Sequence, residues 1–178
     1  RMSKDYYAGL AVVSVRGDRL NESVFEYVEA GAFVRNRWFK PQVELSSGSL
    51  RVGHLAAMDG ATIYFENALG REVLSRSSVA NIRFQPVPSR YSAPLNQQRT
   101  GVLLAGGEFV EGDCRGIEQG RVTVSSVPLG LVHYDVNSEV LAVVLRKRVA
   151  SGGHAYEVKL NDGSSWLGRE LEMERLGV

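Results

Sequence analysis

The chain has 178 residues, of which 44% are hydrophobic and 23% charged, the usage of an ordinary globular protein with enough apolar surface to exclude disorder as its main state. Twenty-one Lys and Arg against 20 Asp and Glu leave a formal net charge of +1, without the cationic surplus by which a duplex-binding protein neutralises phosphates. The single cysteine, Cys114, cannot form an intramolecular disulfide, so the fold depends on its core, and no apolar run is long enough to span a bilayer. Nineteen glycines against five prolines predict many turns and many short elements.

In chain order, residues 8–40 predict three strands. Leu10, Val12, Val13 and Val15 form the first, and Arg16-Gly17-Asp18 then turns the chain. Val24–Val28 and Ala32–Phe39 follow, with Trp38 and Phe39 as apolar anchors. From Val43 the chain repeats itself. Val43–Gly53, Val102–Gly112 and Val158–Gly168 all read Val-x-Leu-x-x-Gly, an apolar residue, and a second glycine five positions after the first. The spacing is about 59 residues, then about 56. The first two copies continue in parallel through a turn (Met58-Asp59-Gly60 and Ile117-Glu118-Gln119-Gly120) and two alternating apolar runs. They close on Ser78–Phe84 and Glu139–Leu145.

Period-two alternation such as Val43/Leu45 and Ile63/Phe65 marks half-buried strands. Ser47-Gly48, Asp59-Gly60, Gly106-Gly107 and Asp162-Gly163 mark hairpin turns, where positive φ is needed. Gly48, Gly107 and Gly163 are thus turn positions. Gly53, Gly112 and Gly168 lie inside strands, where a glycine permits a bulge or sharp bend that curls a small sheet. The fold class predicted is all-β. Residues 42–86 and 101–148 are two small five-stranded barrels, and 87–100 is a linker in a stretch from Gln85 that holds Pro86, Pro88 and Pro94 and is therefore extended. Residues 156–178 are a partial third copy, and the N-terminal strands of 1–41 are the part that would complete a barrel with it, since unpaired strand edges are normally covered.

The repeat, with its paired glycines and closing Val-x-x-Ile-x-apolar strand, resembles the Sm-like or SH3-like small barrel. It looks most like tandem Sm-like repeats in large bacterial surface or envelope proteins. That resemblance implies a bacterial envelope or extracellular setting and association through open strand edges. RNA-binding members of the family read uridine with an Asp and an Asn before the third strand and an Arg-Gly before the last. Here Asp59 is followed by no Asn, the second copy has Glu118-Gln119-Gly120, and Arg76–Val79 and Asn137–Val140 carry no Arg-Gly. The RNA pocket is not carried over.

Catalytic, cofactor and metal sites are read as none. His54, His133 and His154 share no ligand spacing with one another or with Cys114, which aligns with Leu55 and reads as a small buried hydrophobe. Ala105–Gly112 lacks the Lys-Ser/Thr of a phosphate loop, and the carboxylates Glu170, Glu172 and Glu174 cluster at one end without an opposing pair. Arg16-Gly17-Asp18 reads as an exposed turn, and Asn21-Glu22-Ser23 as a glycosylation acceptor in sequence only. Arg35, Arg37 and Lys40 around Trp38 and Phe39 form an interaction surface, and Arg146–Arg148 a second basic run. Tyr6, Tyr7, Tyr91, Tyr134, Trp38 and Trp166 are the aromatics available to a sugar. The chain reads as a non-enzymatic structural or interaction module with a protein partner or a second copy of itself. The alternatives are a carbohydrate- or peptide-binding module on a bacterial surface, or a degenerate Sm-like nucleic-acid binder.

Overall fold

The computed structural model describes residues 10–12, 26–27, 39–67, 69–97, 99–146 and 155–169. Near the N-terminus, β1 (Leu10–Val12) pairs antiparallel with β2 (Glu26–Tyr27). The first repeat supplies β3 (Gln42–Leu45), β4 (Leu50–Val52), β5 (His54–Met58), β6 (Thr62–Asn67), β7 (Gly70–Ser75) and β8 (Val79–Arg83). The second supplies β9 (Gly101–Leu104), β10 (Phe109–Glu111), β11 (Asp113–Glu118), β12 (Arg121–Ser126), β13 (Gly130–Asp135) and β14 (Val140–Val144). The third copy is the hairpin β15 (Tyr156–Lys159) and β16 (Ser165–Gly168).

The chain is all-β, as the alternation and the turns predict. Its two repeats share two antiparallel sheets. One runs β10-β9-β14-β8-β3-β4-β16-β15 and the other β13-β12-β11-β5-β6-β7. Neither sheet closes. β8 gives one edge to β3 and the other to β14, while β7 pairs with β6 alone among the described residues, so neither repeat is seen to seal into a barrel of its own there.

The repeats are joined by like strands. β8 and β14 pair around Ile82↔Val143, and β5 and β11 pair at Ile117↔Met58. Each of these residues occupies the position equivalent to its partner's, so a local two-fold axis relates the copies, as in an isologous dimer. The two inner faces pack into one core in which Val43, Ile63, Phe65 and Ile82 of the first copy meet Val102, Val122, Val124 and Val143 of the second. β14 is buried along its whole length, as a central strand covered on both faces must be.

The repeated glycines explain the chain path. Gly48, Gly107 and Gly163 have φ of 92°, 86° and 90°, in the left-handed region where a side chain is strained. Each closes a three-residue loop with the same pair of bonds: Leu45, Leu104 and Leu160 accept from the turn glycine's N–H and donate to Ser49, Glu108 and Ser164. Gly53 and Gly112 sit where the chain bends out of one sheet into the other. A Cβ on Gly53 would run into the Glu66 carbonyl, and one on Gly112 would lie 2.6 Å from the Ser125 carbonyl oxygen. Gly168 ends β16 and accepts from the Ala155 N–H at 3.1 Å.

Two turns depart from expectation. Asp59-Gly60 makes a three-residue loop without positive φ, because the Asp59 carboxylate accepts the N–H groups of Ala61 and Thr62 at 2.8 and 2.7 Å. Those bonds, Ala61 first, hold its carboxyl below the usual carboxylate range. The two-residue turn with both φ positive falls instead at Gln119-Gly120. The proline-bearing segment also departs from an extended linker. It forms a 3-10 turn at Ser89–Tyr91 and a helical turn at Ala93–Asn96, and Leu95, Val87 and Tyr91 pack on Leu103, Leu141, Ala142 and Val144. The outer face of the second repeat is apolar there, and this segment covers it.

A shared core predicts shared stability. Ile82→Ala should cost about 2–5 kcal/mol, in a single urea transition that lowers amide protection at Val122 and Val124 as much as at Ile63. Separate transitions for the two repeats would contradict a common core. Gly53→Ala, which puts a methyl against backbone rather than a movable side chain, should cost more than Gly48→Ala, for which about 1–2 kcal/mol is expected. The same urea titration compares them.

Candidate interaction surface

Of the surface nominated in the sequence, Arg35, Arg37 and Trp38 lie outside the described residues. Phe39 is half-buried and, with Lys40, His54, Glu66 and Asp162, lines a cavity of about 420 Å³ beside the bend at Gly53. Arg16-Gly17-Asp18, Asn21-Glu22-Ser23, Tyr6, Tyr7, Lys147, Arg148, His154 and Glu170, Glu172 and Glu174 also lie outside the described residues. Cys114 is 1% exposed inside the common core, and burial pushes its thiol up to about 12. A thiol held protonated in that way packs as a small hydrophobe. His133 shares a 3.0 Å hydrogen bond with the Thr123 hydroxyl across β12 and β13, and His54 is exposed. Among the described residues no three His, Cys, Asp or Glu side chains gather closely enough to hold a metal ion.

What the structure does assemble is strand edges. Most of the N-terminal segment expected to complete the third copy lies outside the described residues; among the described residues, β16 pairs with β4 through Ser165↔Leu50, and β1 with β2. The hairpin therefore caps the first repeat. The contact is again between equivalent positions. Ser164 Oγ accepts the Val52 N–H at 2.9 Å, and Ser49 Oγ accepts the Leu167 N–H at 3.0 Å. Ser49 and Ser164 occupy the same motif position, as do Val52 and Leu167, so the two bonds are reciprocal.

Arg51 completes the joint. Its guanidinium donates to the Ser165 carbonyl at 3.2 Å, lies 4.4 Å from the Trp166 ring centroid and pairs with Glu72 at 3.2 Å. A cation over the indole face is attracted by the ring quadrupole. This cover occupies a face of Trp166 that a sugar would need. Ser49, Ser164 and Arg51 escaped sequence reasoning, although serine at the same place in copies one and three, against Glu108 in copy two, was a visible signal.

The outer faces of the two repeats differ. In the first, Glu44, Asn81 and Arg83 form a polar trio, with Asn81 Nδ2 and Arg83 Nη2 both donating to Glu44 Oε2 at 2.9 and 2.7 Å. The same positions in the second are Leu103, Ala142 and Val144, under the proline-bearing segment.

The six-stranded sheet ends on β7 and β13, which occupy the same place in the two repeats, and each pairs on one side only among the described residues. Apolar side chains gather along both. Leu69 and Val73 are 72% and 67% exposed beside β7, and Val127, Leu129 and Leu131 are 101%, 55% and 62% exposed at and before β13. Singly these would be ordinary, but here they gather along strands that pair on one side only among the described residues.

Comparison of the chain with protein-family models, curated proteins and solved structures finds no match to any of them.

The reciprocal serine bonds predict a local effect. Ser164→Ala should raise amide exchange of β15 and β16 several-fold, through the loss of about 1 kcal/mol for the hydrogen bond, while leaving exchange at Val122 and Val124 unchanged. Exchange read by mass spectrometry on peptic fragments separates this from global destabilisation.

Proposed function

We propose that the chain is a non-enzymatic assembly module built from two Sm-like repeats, which offers unpaired strand edges to a second copy of itself and to protein partners. The Sm-like part of this reading is supported by the path of each repeat, in which a strand bent at a glycine runs from one sheet to the other and a last strand returns beside the first. The assembly part is carried by one observation: a six-residue strand, β13, whose outer edge pairs with nothing among the described residues, with Leu131 on it and Leu129 just before it exposed. An extended edge gives affinity through main-chain bonds and specificity through alternate side chains. Equivalent strands already pair three times within the chain, at β8–β14, β5–β11 and β4–β16, so strand-to-like-strand contact is the mode in which this sequence joins its own copies. β13 of one molecule against β13 of another extends that mode across a two-fold axis.

Light scattering after size exclusion tests the reading. Concentrated protein should show a mass of at least twice 19.5 kDa, and Leu129→Lys with Leu131→Lys should weaken that association by at least about tenfold, or about 1.4 kcal/mol. A chain that stays monomeric at every concentration reached would overturn self-assembly. Salt-sensitive retention of an oligonucleotide would point to a nucleic-acid binder instead, and saturable binding to an oligosaccharide to a sugar-binding module.

A further inference from the structure

We propose that β10 is a pairing edge for an extended cationic strand of a partner protein, shut to this chain's own hairpin and to second copies by Glu108 and Glu111. The inference rests on reading the chain as an interaction module, and concerns a different edge from the one used above for self-association.

β10 is the counterpart of β4 across the local two-fold axis, and its backbone is built in the same way. Both follow the same glycine turn, with Leu104 N–H on the Glu108 carbonyl as Leu45 N–H is on Ser49. Both pair with their neighbour in the same register, Phe109↔Leu103 as Glu44↔Leu50. Both end on a bend glycine whose N–H bonds the residue before the repeat, Gly112 to Thr100 and Gly53 to Pro41, at 3.1 and 3.0 Å. β4 takes an antiparallel strand on its outer edge, whereas β10 takes none among the described residues. The backbone that accepts a strand in one copy is therefore present in the other.

The side chains differ. Glu108 stands where β4 has Ser49, Val110 where it has Arg51, and Glu111 where it has Val52. The hairpin leaves β14, which lies two strands from β10 and three from β4 in the sheet, yet it docks on β4. At β10 it would find neither the reciprocal serine nor the arginine that stacks on Trp166. A second copy's β10, set in the register that places Ser165 opposite Leu50, would put each Glu108 opposite the other molecule's Val110, one position from its Glu111. Four carboxylates would then crowd two short strands, and like charges at neighbouring cross-strand positions repel one another. Arg99 donates to Glu111 at 3.1 and 2.6 Å, but both side chains are more than half exposed, so the neutralisation is weak. No ion pair reaches Glu108 among the described residues. A strand with Lys or Arg at the facing positions meets both carboxylates and still forms the ladder, while Phe109 and Tyr91 offer it apolar surface on the outer face.

A charge-reversed copy of the full chain, Glu108→Lys with Glu111→Lys, serves as the cationic strand. Mixed with wild type and followed by sedimentation velocity, it should give a one-to-one complex in excess of the association of either protein alone. That excess should weaken at least about tenfold between about 0.05 and 0.5 M NaCl, and amide exchange at Phe109 and Glu111 should slow in the mixture. If mixing yields only the sum of the two separate distributions, the proposal is overturned. Glu108→Lys alone, which spares the Arg99 pair, is the second variant should the double one fold poorly, and carries the same expectation. Because the readout is an excess over each protein alone, a failure here and a failure of self-assembly through β13 are told apart.

Discussion

The pairing of like strands across a local two-fold axis is the constraint on which this structure depends. Ile82 faces Val143, and Met58 faces Ile117, each residue at the position equivalent to its partner's. All four are buried, and Ile82 and Val143 are fully so, each contributing about 1.5–3 kcal/mol by leaving water. Such a contact requires the same strand to be apolar on its inner face in both copies, which is what a repeated sequence supplies at no extra cost in information. It also removes four edges at once, two from each repeat. The remaining architecture follows: two sheets that cannot close because their closing strands are spent on each other, and one core rather than two.

Two units of one strand order packed against each other present outer faces of like backbone, which side chains distinguish. Here the first copy carries Glu44, Asn81 and Arg83 on that face, and the second carries Leu103, Ala142 and Val144. A carboxylate that accepts from both an amide and a guanidinium tolerates burial, whereas a bare leucine and valine need cover. The segment from Pro86 to Asn96 provides it, with Leu95 7% exposed. The same divergence decides the edges. Ser49 supplies one of the two reciprocal bonds that join β4 to the hairpin, and Glu108 stands in its place before β10, which carries no such strand among the described residues.

Local structure was legible in the sequence because it is set by local chemistry. Three glycines at one motif position all take φ near 90°, since the loop demands it, and the glycine five residues on marks the bend because backbone crosses there. What joined to what was not legible. Strand edges present the same N–H and C=O groups whatever the side chains, so nothing in Val140–Val144 alone names Val79–Arg83 as its neighbour. The unbroken apolar run Val140-Leu141-Ala142-Val143-Val144 did announce a strand covered on both faces, and the proline-bearing stretch beside it in sequence held the cover. Proline count alone favoured an extended linker, but the apolar demand of Leu103 and Val144 won. Asp59-Gly60 misled for a related reason: the aspartate side chain caps its own loop and so makes positive φ unnecessary.

The ends of the two sheets have different consequences for growth. The six-stranded sheet ends on β7 and β13, which are equivalent, so pairing like to like closes on a two-fold axis. The eight-stranded sheet ends on β10 and β15, which are not equivalent, so joining one to the other is a head-to-tail contact that makes a ring where the rotation closes and a fibre where it does not. Both of those ends carry charge, β15 beside the exposed Tyr156 and Val158. β10 carries Glu111 beside Glu108, and β15 carries Glu157 and Lys159, which pair with each other at 3.4 Å on the strand itself. Charge on an edge strand is the usual device against open-ended addition. A two-fold contact at β13 alone therefore gives a closed pair, whereas contacts at both β7 and β13 would carry the assembly on.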